Sequence, residues 1–204
     1  LSSRGILLFV EGDTEIEFFR ALVQCLLRQH SQSTRNLRII YRNARGIRNF
    51  QNKVLRIFTN QILRDNPGII FDVVLCYDTD AFEYARKPPV NWRLVEADLK
   101  GAGANKVIHI RARHSIEDWF LYDYSGLLRF LRLPQDTSLP GGSGIQKLKS
   151  LFKQANKVYV KGSNVKGFIQ QLDIDEIIGG ISEELSPLIR VLGINVVHKP
   201  SRKK

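Results

Sequence analysis

The sequence has no methionine and only two cysteines, Cys25 and Cys76, in 204 residues. The missing initiator methionine suggests that the numbering starts inside a longer chain. Cys25 falls on a helical pattern and Cys76 within an apolar strand pattern, so both read as small core hydrophobes rather than a disulfide or a zinc site. A reducing, cytoplasmic setting fits that usage. No apolar run approaches the roughly 20 residues of a membrane span. The short apolar run near the N-terminus ends in Glu11 and lacks a secretory layout. There is no internal repeat, no heptad pattern and no phosphate-binding Gly-x-x-x-x-Gly-Lys-Ser/Thr loop, since Gly141 to Lys147 has the wrong spacing. Any ATPase partner is therefore expected to be a separate chain.

Acidic residues are missing from two long stretches. Between Arg28 and Arg64 the charges are all basic, among them Arg38, Arg42, Arg45, Arg48, Lys53 and Arg56. The second stretch carries Lys147, Lys149, Lys153, Lys157, Lys161 and Lys166. Acids gather instead at 11–17, 78–83, 117–123 and 173–184, and the formal net charge is +11. Such segregation suits a polyanion partner, DNA or RNA, beside an acidic centre. The candidate phosphate contacts are Arg42, Arg45, Arg48, Arg111, Arg113, Lys147, Lys149 and Lys153.

The hydrophobic share, 43%, is enough for a core. Ile6 to Val10, Leu37 to Tyr41, Phe71 to Tyr77 and Lys106 to Ile110 read as strands. Between them, Ile16, Phe19, Leu22, Val23 and Leu26 trace a helix, with Thr14 as its cap. Phe50, Val54, Ile57, Phe58 and Ile62 trace a second helix, stopped by Asn66-Pro67-Gly68, and Trp92 to Leu99 a third. A helix capped by Ser115 follows, divided at Gly126. Strand alternating with helix predicts an α/β fold with a mostly parallel, Rossmann-like sheet flanked by helices over residues 1–133. Residues 134–204 are expected to form a loop and a helical C-terminal extension, with helices near 145–156, 164–178 and 182–192.

Each of three strands is followed by acids: Glu11 with Glu15, Asp78 with Asp80, and Glu117 with Asp118. Alternation along a strand would set Asp78 and Asp80 on one side, with Thr79 pointing away. In an open parallel sheet these ends lie together, where ligands bind. Each pair has a dull explanation as a strand end or a helix-dipole partner. Together they suggest oxygen ligands for a hard divalent cation. His109 is expected to be structural, and Trp119 and Phe120 to be core.

The segments Phe9-Val10-Glu11-Gly12-Asp13-Thr14-Glu15 and Leu75-Cys76-Tyr77-Asp78-Thr79-Asp80 resemble the Toprim family in order and context. His114-Ser115-Ile116-Glu117-Asp118-Trp119-Phe120 resembles a further motif of small standalone Toprim-like proteins and of the nuclease domain of OLD-type (overcoming lysogenization defect) proteins. The resemblance covers residues 5–132. It implies Asp78 and Asp80 as metal ligands and Glu11 as a ligand or general acid/base. Glu15 and Glu117, with Asp118 nearby, would complete a second site, so that two Mg2+ or Mn2+ ions are implied. A downstream lysine near the scissile phosphate is also implied, with Lys161 the first candidate and Lys166 the second. Ala81, Phe82 and Glu83 stand where many Toprim enzymes carry a glycine, which weakens the tie to topoisomerases and primases.

The function expected on these grounds is a metal-dependent nuclease for DNA or RNA, associated with bacterial defence or mobile elements. One alternative is a non-catalytic Toprim-like module that binds nucleic acid or a partner. Another is a haloacid dehalogenase-type phosphohydrolase with Asp78 as nucleophile. Monomer and homo-oligomer are both open, and no membrane partner is expected.

Overall fold

The computed structural model describes residues 3–29, 37–83, 85–161 and 167–194. Strands β1 (Ser3–Val10), β2 (Arg38–Asn43), β3 (Ile69–Asp78) and β4 (Lys106–Ala112) pair in parallel in the order β2-β1-β3-β4. The central strands carry the continuous apolar runs. Ile6 to Val10 and Val73 to Leu75 are fully buried, because both faces of the sheet are covered.

The chain leaves β1 through α1 (Asp13–Gln29) to β2 on one side. It then reverses, through α2 (Asn49–Asn52), α3 (Val54–Ile57) and a π-helical turn (Phe58–Leu63), to β3. From β3 it passes through α4 (Asp80–Glu83) and α5 (Trp92–Gly101) to β4. Crossovers of one hand that reverse direction place their helices on opposite faces. Accordingly Phe18, Leu22 and Leu26 of α1 pack with Ile6, Leu8 and Val74. Phe50, Val54, Phe58 and Leu99 pack with Leu7, Phe9 and Val73 on the other face.

After β4 come α6 (Ile116–Phe120), a 3-10 turn (Leu121–Asp123), α7 (Tyr124–Leu131), α8 (Gly144–Gln154), a second 3-10 turn (Ile169–Gln171), α9 (Ile174–Gly180) and α10 (Ser182–Val191). Leu148, Leu151, Phe152, Ile177, Leu185 and Leu188 join the core on the α1 face. No helix among the described residues is long and apolar enough to cross a membrane.

Several local expectations are corrected. Helix α1 begins at Asp13, so Thr14 lies inside the first turn and is not the cap. The second helix breaks at Lys53 (φ −126°) and then widens into the π-turn. The break before α7 falls at residues 121–123, not at Gly126. Gly126 lets the helix start close to its capping residue, since a Cβ there would lie 1.8 Å from Asp123 Oδ2. Of the helix expected over 164–178, residues 164–166 lie outside the described residues. The regular helix starts only at Ile174, where Asp173 Oδ1 accepts the N–H groups of Asp175 and Glu176.

Candidate functional site

Strands β1 and β3 are neighbours, but the chain leaves them for opposite faces. Their carboxyl ends therefore border the crevice where open α/β sheets bind ligands. Glu11 follows β1, Asp78 ends β3 and Asp80 opens α4. The Asp78 N–H donates to Glu11 Oε1 (3.0 Å), and Asp78 Oδ1 accepts the Ile116 N–H at the start of α6 (2.9 Å). Thr79 turns away, as expected, donating to Ala112 O and accepting the His114 N–H. Strand alternation does not place Asp80, because the strand ends at Asp78. A turn brings it round, with its N–H on His114 O at 2.9 Å.

Glu15, in the first turn of α1, and Glu117, in the first turn of α6, point into the core and are 5% and 1% exposed. A strap after α8 completes the group. Its side chains alternate: Val158 and Val160 face solvent, while Tyr159 is buried and Lys161 reaches inward. The Tyr159 hydroxyl donates to Glu117 Oε1 (3.1 Å). Lys161 Nζ lies 2.7 Å from Asp78 Oδ2 and 3.1 Å from Asp80 Oδ2. The first contact is an ion pair without hydrogen-bond alignment, and Oδ2 of Asp78 has no hydrogen-bond donor.

Burial dominates the electrostatics. It raises the carboxyl pKa of Asp78 well above its usual range and raises that of Glu11, although Lys161 opposes both shifts. Burial, with added repulsion from Glu117 and Glu11, lifts Glu15 to about 7. Burial alone would lower Lys161, but attraction to Asp78, Glu117 and Asp80 outweighs it and the net shift is upward. One lysine thus faces a group of acids that outnumber it.

Part of this group is short of partners of the kind that a hard cation supplies. Glu15 Oε2 and Glu117 Oε2 are buried without hydrogen-bond partners, a costly state, while Asp78 Oδ2 meets only the Lys161 ammonium. Glu11, Glu15 and Asp78 also line a cavity of about 10 Å3, close to the space of one water molecule. Among the described residues no three His, Cys, Asp or Glu side chains stand close enough to form a finished cage.

Glu11, Glu15, Asp78, Asp80, Glu117 and Lys161 are therefore brought together. Asp118 is not: it accepts from Ser115 Oγ (3.0 Å) and packs against Gly144 at the start of α8. Successive helical residues diverge by about 100°, so Glu117 and Asp118 cannot share a direction. Lys166 lies outside the described residues. Arg45 and Arg48 are exposed on the loop beside Glu11, where the Gly46 N–H donates to Glu11 O (3.0 Å). Arg113 is exposed next to His114. Arg42 is half-buried on the edge strand and donates to Tyr41 O. Arg111 interacts with Tyr77 and lines a groove against α10, away from the carboxylates. Lys147 is half-buried on α8, and Lys149 and Lys153 are exposed there.

His109, bonded to Glu96 (3.0 Å) and to the Tyr77 hydroxyl (3.2 Å), is structural, and Trp119 and Phe120 are core. The residue that sequence reading overlooked is Tyr159. Its signal was the i, i+2 spacing with Lys161, which in an extended segment sets both side chains on one side. The chain matches no protein-family model, no curated protein and no solved structure.

Proposed function

We propose that the protein is a divalent-cation-dependent nuclease that hydrolyses phosphodiester bonds in DNA or RNA, with a Toprim-like arrangement of its acids. The observation that carries this is the set of buried, under-satisfied carboxylates at the β1/β3 crevice, in a chain of net charge +11. Glu11, Asp78 and Asp80 would hold one ion, and Glu15 and Glu117 a second. Bound there, divalent ions supply Lewis acidity toward phosphoryl oxygens and lower the pKa of water. Glu11, whose carboxyl pKa burial raises, would serve as a ligand or as the general acid/base. Lys161 balances Asp78 and Asp80, and its ammonium stands ready to offset negative charge that develops on a phosphate. Arg45, Arg48 and Arg113 flank the same edge and suit the strand's backbone. The two free, buried cysteines suit a cytoplasmic setting, and a defence role with a separate ATPase chain belongs to the same proposal.

One observation favours a second reading, a non-catalytic module that binds nucleic acid. Lys161 already occupies the position between Asp78 and Asp80 that a cation would take. A phosphohydrolase with Asp78 as nucleophile is less well supported, because Asp78 is only 4% exposed and tied to Ile116 and Lys161.

The test is incubation of plasmid DNA and of a mixed RNA pool with Mg2+ or Mn2+, comparing wild type with Asp78→Ala/Asp80→Ala. Metal-dependent cutting lost in the variant is the expected result. Binding without cutting, in wild type and variant alike, would replace the nuclease with the binding module.

A further inference from the structure

Away from the carboxylates, a cavity of about 750 Å3 opens between the C-terminal ends of α7 and α8. Both helices stop in the same way. The Leu133 N–H donates to Leu128 O and the Arg132 N–H to Arg129 O. The Lys157 N–H donates to Phe152 O and the Asn156 N–H to Lys153 O. This paired pattern needs a left-handed residue just after the helix, where glycine is preferred. The positions hold Arg132 (φ 58°) and Asn156 (φ 53°). Asparagine tolerates that region through its short polar side chain, whereas arginine has no such compensation. Arg132 is thus unfavourable for the backbone, and strain of this kind points to a task for the side chain.

Arg132 lines the cavity with Arg129 and Lys157, and Gln154, Asn156 and Gln171 add uncharged polar groups. No acidic residue is among the described residues that line it. Lys157 Nζ sits 4.6 Å from the Phe130 ring centroid, which holds one of the charges at the site. Lys157 also begins the strap that ends at Lys161 on Asp78 and Asp80. Those four residues of extended chain span at most about 14 Å, so the basic cavity lies within a short run of nucleotides of the carboxylates.

We propose that this cavity is a second binding site, which grips the phosphodiester backbone of a nucleic-acid strand to one side of the carboxylate cluster. The ligand class rests on the nucleic-acid reading above, but binding here does not depend on cutting. The test uses the full chain in EDTA, with a short fluorescent single-stranded oligonucleotide titrated over a range of salt. The variants are Arg132→Gly, Arg129→Ala/Lys157→Ala and, as a distant control, the exposed Arg64→Ala. Arg132→Gly should weaken binding by about 3- to 10-fold and flatten the slope of log K against log salt by about 0.7. The same change should raise the melting temperature by a few degrees, since glycine suits the left-handed position.

A more stable protein that binds less tightly is an outcome that a purely structural Arg132 cannot give. Unchanged affinity and slope in both cavity variants would overturn the proposal, as would an equal loss in Arg64→Ala. A wild type that holds a mononucleotide as tightly as the strand would also overturn it, since a backbone site needs successive phosphates. The two proposals fail separately. Cavity variants that lose binding, in a protein that never cuts, remove the nuclease and leave this site. Cutting by a protein whose cavity variants bind normally does the reverse.

Discussion

Asp72 and Asp78 lie on the same strand and are both buried, at 1% and 4% exposure, but their surroundings are opposite. Asp72, near the amino end of β3, is fully met. Arg4 donates to its Oδ2 through Nε (3.1 Å) and Nη2 (2.7 Å), and Asn105 donates to its Oδ1 (2.7 Å). It ties together β1, β3 and the chain just before β4. Asp78, at the carboxyl end, has one backbone N–H on Oδ1 and a poorly aligned lysine on Oδ2, and the charges of Glu117 and Glu11 press on it. A buried acid that serves the fold is neutralised and bonded, whereas one left short marks a place where something else is to bind. Each aspartate also sits where its task requires, since ligands approach an open parallel sheet from the carboxyl ends of its strands.

The largest expected effect separates the two residues by activity. Asp78→Ala/Asp80→Ala should lower metal-dependent cleavage by about 10³-fold or more. Asp72→Ala should leave the rate constant of a folded enzyme unchanged and instead cost about 2 kcal/mol in urea denaturation. It strands Asn105, while half-exposed Arg4 regains water. Silencing of cleavage by Asp72→Ala in a fully folded protein would end the distinction.

The next effect is on stability against pH. The folded Glu15 pKa, raised by burial from 4.5 to about 7, means that the native state binds this proton more tightly than the unfolded chain. Its stabilising effect is complete below pH 4.5 and lost as pH rises through 7, a change of about 3 kcal/mol. Glu11 and Asp78 shift in the same direction, and Lys161 stays charged throughout the window. Without divalent ions the protein should therefore become less stable between pH 5 and pH 8. Glu15→Gln should gain about 1–2 kcal/mol at pH 8 and nothing at pH 5. Excess Mg2+ should flatten the wild-type profile. A wild-type profile that is flat in EDTA would mean that burial does not raise these carboxyl pKa values as described above.

The strands were legible because burial on both faces leaves apolar runs with abrupt ends, and the acids at those ends marked the crevice. What was lost depended on packing. Phe50, Val54, Phe58 and Ile62 keep helical spacing across the break at Lys53, so periodicity alone could not reveal it. Glu117 and Asp118 are adjacent carboxylates, and packing separates them: Glu117 is buried while Asp118 lies against Gly144 of α8. Asp80 reaches the site by a turn that no alternation rule describes. Tyr159 bonds to a residue 42 positions away, and a phenol within an apolar stretch reads as core.

The smallest expected effect concerns that phenol. Tyr159→Phe keeps the ring packed edge-on against Phe152 at 5.1 Å and deletes only the hydroxyl. Glu117 Oε1 then loses its donor, while Oε2 already has none. The stability cost should be about 1 kcal/mol, far less than a cavity in the core would cause. The effect on chemistry should be more selective. Asp72 is held by donors from two side chains, Arg4 and Asn105, but Tyr159 supplies the hydroxyl that orients Glu117. Removing a group that orients a ligand weakens metal affinity by about 10-fold or more. Cleavage by Tyr159→Phe should therefore need about 10-fold more Mg2+ for half its maximal rate, with that maximum largely retained. An unchanged Mg2+ requirement with the same small loss of stability would assign Tyr159 to the core alone, and would leave Glu117 closer in character to Asp72 than to Asp78.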